Sequence, residues 1–393
     1  MRIALVSMHT SPIAVPGSGD AGGMNVVVAE AAKALSALGH DVTLVTRATA
    51  DLAPGEYTVP GGVDRAARRP ILRALEAGDP ALRKAQLPRV VPEFAAGLKA
   101  LGEFDAVHAH YWLSGVAALE AFARTPALTF HTLAAQKNAM LAPGDAPEPK
   151  ERLDAERLLA QRSFVIAGSS SELNAVTQYC GAPTLGSEVV HPGVDTALFH
   201  PSSQSGSTLR VTVLGRVQPL KGQDLAVRAM GELVRAFPDV AAGVELVIAG
   251  EPTPGAEAYA AGLRDLATEY GIASKVRFLP AQTREQAAAL LASSALVLVP
   301  SHSETFGLTA LEAAASGVPV IVGGHTGLIE AAPETSGGIH MGDRDPRNWA
   351  RAMAELLADP HRRANLGRAA RAHAEQHNWL AHARALERIY SAL

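Results

Sequence analysis

The sequence predicts an α/β protein with two domains, each a parallel sheet covered by helices. Apolar runs of strand length alternate with helical patterns along the 393 residues, which is the order expected for parallel strands joined by helical crossovers. The chain is also longer than one ordinary core requires. The alternation is interrupted once by a linker-like segment rich in serine, 201–207. We therefore expect two Rossmann-like domains whose parallel sheets face each other across a cleft.

The predicted elements follow one another in two series. Strands of the first series are expected at 2–7, 41–46, 104–108, 127–131, 163–167 and 187–190. Strands of the second series are expected at 209–214, 244–249, 275–279, 295–299, 318–322 and 337–341. The N-terminal domain is assigned residues 1–195 plus 378–393, and the C-terminal domain residues 205–377.

Helices and loops complete this outline. A helix is expected from about Met24 to Leu38, because Gly39 suits the position after a helix end. Another helix is expected near 378–392. The stretch 51–93 is rich in proline, glycine and arginine and has no clear period. It is predicted to be irregular and to lie near a binding site.

Composition excludes several classes of function. A formal charge of −4 gives no basic field for nucleic acid. A single cysteine rules out an intrachain disulfide framework and fits a reducing compartment. No apolar run reaches the length of a bilayer span. We expect a cytoplasmic protein without a stable membrane anchor, acting on small molecules, with a homodimer left open.

The most informative segment is 301–312, which follows an apolar strand and carries Glu304 and Glu312. A helix is expected to start near Phe306 with Gly307 in its first turn, where N–H groups and partial positive charge attract an anion. Glu304 would then accept hydrogen bonds from hydroxyls beside that anion, and Glu312 would reach another part of the ligand. This describes a nucleotide-sugar diphosphate. The alternative is a capping residue and a solvated glutamate.

A second loop with anion-binding chemistry is 215–222, directly after the predicted strand 209–214. It carries Arg216 and Lys221. Their spacing along the chain is that of a loop and would not place both on one face of a helix. Two cations at this place can neutralise a diphosphate leaving group as negative charge accumulates on it. The alternative is an exposed charged loop.

The glycine-rich loop 16–25 has the G-x-G-x-x-G spacing of a dinucleotide site, through Gly17, Gly19 and Gly22. The first glycine of such a site should end the strand, but residues 8–16 intervene. The second strand also ends without the acidic residue that binds the adenosine ribose. A dinucleotide-dependent oxidoreductase is therefore a weak alternative. We expect instead that the loop brings backbone amides near Gly23 to a phosphate.

A histidine and a scattered basic set complete the candidates. His131 ends a predicted strand and is expected to bind a sugar hydroxyl in the cleft, and the alternative is a packed or capping histidine. His108 and His110 lie in sequence before it, but a His-x-His pair without acidic or cysteine partners does not predict a metal site. Lys84, Lys137 and Arg152 gain a role only if the fold gathers them, together with Tyr111 and Thr132.

The 304–312 segment, the 215–221 loop and the Gly22–Gly23 turn together resemble the retaining glycosyltransferases of family 4. The resemblance covers essentially the whole chain. It implies the GT-B fold, a UDP-sugar donor, retention at the anomeric carbon and no metal or other cofactor for the chemical step. It implies donor binding by Gly23, Arg216, Lys221, Glu304, Thr305, Phe306, Gly307, Leu308 and Glu312. The catalytic residues it implies are Arg216, Lys221, Glu304 and His131.

Other segments resemble one branch of this family, which transfers N-acetylglucosamine from UDP-N-acetylglucosamine to an inositol phosphate. They are 10–12, 19–26, 110–115, 131–135, 144–149 and 218–221. The resemblance implies that the acceptor is bound by Asn25, Lys84, Tyr111, Thr132 and Arg152, the last four at its phosphate. The chain departs from that branch at Val27, Gln282 and His325–Thr326, which leaves the donor sugar and the rest of the acceptor open.

Two further functions stay open beside this one. A sucrose-phosphate-synthase-like enzyme would use the same chemistry and transfer the sugar to a sugar phosphate. A non-catalytic sugar-nucleotide sensor would bind the donor without turnover.

Overall fold

A computed structural model describes residues 1–59, 69–140, 147–202 and 209–393. The chain divides into two compact units. Unit 1 comprises Met1–Ala14, Gly23–Gly193 and Trp379–Leu393, and unit 2 comprises Val15–Gly22 and Val194–Asn378. Each unit contains one sheet, so the predicted two-domain α/β architecture is confirmed.

The sheet of unit 1 has eight strands in the order β3-β4-β2-β1-β5-β6-β7-β8. They are β1 (Arg2–Val6), β2 (Asp41–Arg47), β3 (Gly55–Thr58), β4 (Ile71–Leu75), β5 (Ala106–His110), β6 (Ala127–Thr129), β7 (Phe164–Ala167) and β8 (Ser187–Val189). Every pairing is parallel except that between β3 and β4.

The sheet of unit 2 has six parallel strands in the order β11-β10-β9-β12-β13-β14. They are β9 (Leu209–Leu214), β10 (Val244–Ala249), β11 (Val276–Leu279), β12 (Leu296–Val299), β13 (Val320–Gly323) and β14 (Gly338–Met341). Strands β10 and β11 are added on one side of β9 and strands β12 to β14 on the other. Because β9 and β12 are parallel neighbours, the loops that follow them emerge side by side at the same edge of the sheet.

Helices connect the strands in both units. They are α1 (Gly23–Ala37), α2 (Val91–Ala100), α3 (Trp112–Ala121), α4 (Ala134–Asn138), α5 (Lys150–Arg162), α6 (Ser170–Cys180), α7 (Gln223–Ala236), α8 (Pro238–Ala241), α9 (Glu257–Glu269), α10 (Arg284–Ala292), α11 (Leu308–Ala315), α12 (Leu328–Ala331), α13 (Pro346–Ala358), α14 (Pro360–Ala374) and α15 (Trp379–Ala392). Short 3-10 segments occupy Lys84–Val90, Pro219–Lys221, Ala273–Lys275 and Glu334–Ser336. None of the helices among the described residues is long and apolar enough to cross a membrane.

Each unit has its own apolar core. In unit 1, Phe94 of α2 and Trp112 of α3 join the same buried cluster as Leu128 of β6. In unit 2, Trp349 and Met353 of α13 are fully buried in the cluster around β9 and α7. Burial of one large apolar side chain contributes about 1.5–3 kcal/mol. The central strands, such as β1, β5 and β12, are buried because helices cover the sheet, which is why they appear in the sequence as mostly apolar runs.

The stretch 51–93 was wrongly predicted to be irregular. It contains β3, β4, the 3-10 segment Lys84–Val90 and the start of α2, although residues 60–68 lie outside the described part of the chain. The exposed edge strand β3 pairs antiparallel with β4 through main-chain hydrogen bonds. An exposed edge strand needs no pattern of apolar residues, so the sequence shows little sign of it. Because β3 is antiparallel to β4, the sheet is not wholly parallel as predicted.

Domain boundaries differ from the sequence assignment at residues 15–22 and, by one or two residues, at 194–195 and 378, all of which belong to unit 2. Residues 15–22 were assigned to the N-terminal domain but belong to unit 2. The amide of Glu251 donates to the Gly17 carbonyl at 3.0 Å, and the side chain of Arg216 packs against Gly22. The segments 203–207 of the predicted linker and 144–146 of the motif at 144–149 lie outside the described residues.

Candidate functional site

The Glu304 loop, residues 301–307, joins β12 to α11 in unit 2. Oε1 of Glu304 accepts hydrogen bonds from Nζ of Lys221 at 2.6 Å and from Oγ of Ser301 at 2.7 Å. Lys221 ends the 3-10 turn after β9, and β9 pairs with β12. Neighbouring parallel strands therefore bring together two residues that are far apart in sequence.

The helix after this loop begins two residues later than predicted. Its first residue is Leu308, and Gly307 precedes it as the N-cap with φ of 113°. A Cβ at this position would lie 2.7 Å from Cδ2 of Leu328. Glycine is thus required by both its backbone angle and its surroundings. The start of α11 still provides the N–H groups and partial charge of an anion site.

Arg216 lies in the same region of unit 2. A Cβ on Gly22 would approach its Nε to 3.2 Å, so the glycine permits close contact with the guanidinium. The Arg216 carbonyl accepts from Nε2 of the buried Gln223 at 2.8 Å. Burial lowers the pKa of Arg216, while the charges of Asp20 and Glu304 raise it. Both predicted cations of the 215–222 loop therefore lie close to Glu304.

Glu312 is buried in α11 rather than solvated, and it forms an ion pair with Arg284 at the start of α10. The Arg284 guanidinium lies 4.7 Å from the ring centroid of Phe199. Sequence analysis did not find Arg284. The available signal was the capping box of Thr283 and Gln286, which places Arg284 at the first position of a helix.

A buried ionic cluster in unit 1 is centred on Arg152, which is 4% exposed. Its Nε donates to Glu156 at 2.7 Å and its Nη1 to Glu148 at 2.9 Å. Its Nη2 donates to the carbonyl oxygen of Thr132 at 3.0 Å and to its hydroxyl at 3.1 Å. Lys137 forms an ion pair with Glu148. Burial raises the pKa of Glu156, although Arg152 opposes the shift.

Two cations lie against the ring of Tyr111, at the N-terminus of α3. Nζ of Lys84 is 5.0 Å and Cζ of Arg152 is 4.8 Å from the ring centroid, distances suited to cation–π attraction. The Tyr111 ring also lies 4.2 Å from that of His9. The structure therefore brings together Lys84, Tyr111, Thr132 and Arg152, which the sequence could not place near one another.

His131 is held from two directions. Its amide donates to Oε1 of Glu172 at 2.9 Å, and the amide of Gly168 donates to the other carboxylate oxygen at 2.6 Å. The rings of His131 and His110 share a hydrogen bond of 3.0 Å. Burial lowers the pKa of His131 to about 3, so its imidazole is neutral at pH 7. Glu172 is a second residue that sequence analysis missed.

The remaining predicted residues lie in the same two units. Asn25 in α1 donates from Nδ2 to Oγ1 of Thr10 at 3.0 Å and to the Ser11 carbonyl at 2.7 Å. Gly23 is the first residue of α1. Across the described parts of the chain, no group of three or more histidine, cysteine, aspartate or glutamate side chains is arranged to hold a metal ion.

Comparison with known proteins now identifies the family. A family model described as a family 4 glycosyltransferase in conflict systems matches residues 13–386. The chain belongs to glycosyltransferase family 4. Among curated relatives, the D-inositol 3-phosphate glycosyltransferase of Salinispora tropica is 40% identical over 96% of this chain and 82% of the relative. The enzyme of the same name from Nocardia farcinica is 38% identical over 100% and 89%.

Solved structures give the fold of this family 4 chain. A sucrose-phosphate synthase from Thermosynechococcus elongatus has a TM-score of 0.88 at 26% identity, with 100% of this chain and 98% of that chain covered. The Anabaena protein HepE in complex with UDP and glucose has a TM-score of 0.77 at 19% identity, with 100% and 99% covered. The predicted GT-B fold is confirmed.

Proposed function

We propose that the protein is a retaining glycosyltransferase that moves a sugar from a UDP-sugar to a phosphorylated polyol. The leading acceptor is an inositol phosphate and the leading donor sugar is N-acetylglucosamine. Relatives named D-inositol 3-phosphate glycosyltransferase, similar along nearly the whole chain, support this choice. The single observation that carries it is the convergence of Lys84 and Arg152 on the ring of Tyr111 in unit 1, with the Thr132 hydroxyl bonded to Arg152.

The acceptor phosphate is proposed to bind at this convergence. Lys84, Lys137 and Arg152 supply three positive charges, and Glu148 and Glu156 supply two negative charges. A phosphate dianion would accept charge-assisted hydrogen bonds from Lys84, Arg152 and the Thr132 hydroxyl, with the Tyr111 hydroxyl beside them. Asn25 is proposed to contact the polyol ring.

The donor is proposed to bind in unit 2. Arg216, Lys221 and the start of α11 would hold the diphosphate, with Thr305, Phe306, Gly307 and Leu308 forming the walls of the anion site. Glu304 would accept hydrogen bonds from the sugar hydroxyls and Glu312 from the ribose. Gly23, at the start of α1, is proposed to approach the diphosphate through its backbone.

The transfer step is proposed to occur on one face of the sugar. The bond between the anomeric carbon and the diphosphate oxygen breaks while the acceptor oxygen attacks from the same side. The departing diphosphate takes the acceptor proton, and Arg216 and Lys221 stabilise the charge that develops on it. The neutral imidazole of His131 would donate a hydrogen bond to a sugar hydroxyl and position it. No metal ion is required in this scheme.

A sucrose-phosphate-synthase-like activity is the second candidate. It is favoured by the 26% identity and TM-score of 0.88 to an enzyme of that name. Both candidates use a UDP-sugar and a phosphorylated acceptor, so they differ only in the ring of the acceptor and in the donor sugar. A cytoplasmic location without a membrane anchor, and a possible homodimer, remain predictions.

The deciding experiment crosses two donors with two acceptors. UDP-N-acetylglucosamine and UDP-glucose are each incubated with inositol 3-phosphate and fructose 6-phosphate, and UDP release and product anomer are measured. The expected result is an α-linked product from UDP-N-acetylglucosamine and inositol 3-phosphate. Turnover with fructose 6-phosphate alone would favour the second candidate. UDP binding without release in any mixture would indicate a sensor, and no UDP binding at all would reject the proposal.

A further inference from the structure

The segment 325–327, between β13 and α12, is bonded to the Glu304 loop at three points within unit 2. The amide of Glu304 donates to Oγ1 of Thr326 at 3.1 Å. The amide of Gly327 donates to the Glu304 carbonyl at 3.0 Å. Nε2 of His325 lies 2.9 Å from the His302 carbonyl oxygen. The main chain of Glu304 is therefore held on both of its peptide groups by one neighbouring segment.

Thr326 adopts a backbone conformation that a β-branched residue rarely takes. Its φ is +59°, in the left-handed region, where β-branched side chains are strongly disfavoured. Among the described residues of unit 2, it is the one non-glycine residue with positive φ. Such strain persists where the surrounding contacts enforce it, and it concentrates at functional sites. In this conformation the Thr326 hydroxyl accepts the hydrogen bond from the Glu304 amide.

Close packing limits how the two segments can move apart. A Cβ on Gly327 would lie 2.2 Å from the Thr305 carbonyl oxygen and 2.5 Å from Cα of Phe306. The segment thus runs directly against the backbone of the Glu304 loop. The loop ends at Gly307, whose own space is limited by Leu328. A shift of 325–328 would therefore be transmitted to the predicted donor-binding residues.

We propose that Thr326 is a positioning residue for Glu304, with its hydroxyl fixing the backbone from which the Glu304 carboxylate reaches Lys221 and the donor sugar. This inference rests on the proposed function, because it assumes that Glu304 binds the donor sugar. Thr326 acts through Glu304 rather than on the reacting atoms. Its hydroxyl oxygen accepts the hydrogen bond from the Glu304 N–H, a role that does not use the hydroxyl proton.

The test compares Thr326→Val, which keeps the shape and removes the acceptor, with Thr326→Ser, which keeps the acceptor. Thr268→Val on the exposed surface of α9 is the matched control. We expect Thr326→Val to accelerate hydrogen exchange in peptides covering 302–306. We also expect it to lower kcat about tenfold with donor KM within about threefold, since misplaced groups lose rate more than binding. Thr326→Ser and Thr268→Val should stay within about threefold of wild type.

Two results would overturn the inference. One is a Thr326→Val protein whose thermal midpoint falls while kcat and exchange at 302–306 match wild type. The other is a Thr326→Ser protein as slow as Thr326→Val, since the retained hydroxyl should rescue positioning. Failure of the proposed function is a separate outcome, recognised when wild-type protein turns over no UDP-sugar. The exchange comparison needs no substrate and still decides whether Thr326 restrains Glu304.

Discussion

The Arg152 cluster of unit 1 and the Glu304 loop of unit 2 hold charged groups in different ways. Arg152 is fixed through its side chain, by two carboxylates and by the hydroxyl and carbonyl oxygens of Thr132. Glu304 is fixed mainly by its backbone, through Thr326 and Gly327. The first arrangement concentrates ionic charge in a buried place, whereas the second leaves only the carboxylate to interact with Lys221 and Ser301.

This difference predicts different responses to substitution. In the Arg152 cluster, removal of one charge leaves its buried partners without an ion pair, so it should act first on stability. In the Glu304 loop, the backbone scaffold survives the loss of a side chain, so substitution should act on turnover. The four predictions below separate stability from activity along this line.

Arg152→Ala is expected to have the largest effect on stability. It leaves Glu156, which is 1% exposed, without its guanidinium partner. Breaking a buried ion pair in this way costs about 3–5 kcal/mol. Chemical denaturation should show a loss of this size, whereas Arg157→Ala, on the exposed face of the same helix, should change stability little. Equal stability of the two variants would mean that the cluster is not an ionic core.

Lys221→Ala is expected to have the largest effect on turnover. It removes the cation that is proposed to stabilise the departing diphosphate, and loss of such a group costs roughly 100-fold in kcat or more. The thermal midpoint should stay near that of wild type. Arg228→Ala, which removes an exposed positive charge from α7, is the control and should retain full activity. A Lys221→Ala enzyme within a few-fold of wild type would remove this role.

Acidification is expected to destabilise unit 1. Burial lowers the pKa of His108 and His131 to about 3 and that of His382 to about 4, and it lowers the pKa of His110 well below its ordinary value. These imidazoles take up protons in the unfolded chain below about pH 6.5 but not in the folded protein. Stability should therefore decrease as pH falls from about 6.5 towards 4.

Glu172 acts in the opposite direction. Burial raises its pKa to about 7, so the folded protein binds this proton first and gains stability as pH falls from about 7 to 4.5. Four imidazoles outweigh one carboxyl group, and the net loss from pH 7 to pH 6 is about 2 kcal/mol. Calorimetry across this range should show it, and Glu172→Gln should make the loss larger. A midpoint independent of pH would contradict the assignment.

Glu312→Gln is expected to have the smallest effect. The glutamine keeps the shape of the side chain but loses the charge that pairs with Arg284 and that is proposed to accept a hydrogen bond from the ribose. UDP affinity should fall about tenfold, the cost of one charge-assisted hydrogen bond. Isothermal calorimetry measures this change. Glu269→Gln, on an exposed part of α9, should bind UDP as wild type does, and equal affinities for both variants would refute a ribose contact.

The sequence predicted the fold more completely than the site. The twelve predicted strands are all present, and most of them are short apolar runs of the kind that a covered parallel sheet buries. The missed strands are the exposed edge strand β3 and its neighbour β4, whose residues alternate between buried and more exposed positions, so the apolar signal of both is weak. Gly307 was expected in the first turn of a helix that binds an anion. Its position as the N-cap of that helix, in the left-handed conformation, was not predicted.

The sequence by itself determined the order of strands and helices and the loops that carry Arg216, Lys221 and Glu304. Only the tertiary structure decided which polar groups meet, as in the ion pair Arg284–Glu312 and the hydrogen bond from the His131 amide to Glu172. The physical reason is range. Apolar periodicity acts on neighbours in the chain, whereas these contacts form between residues on different elements after the strands have taken their order in the sheet.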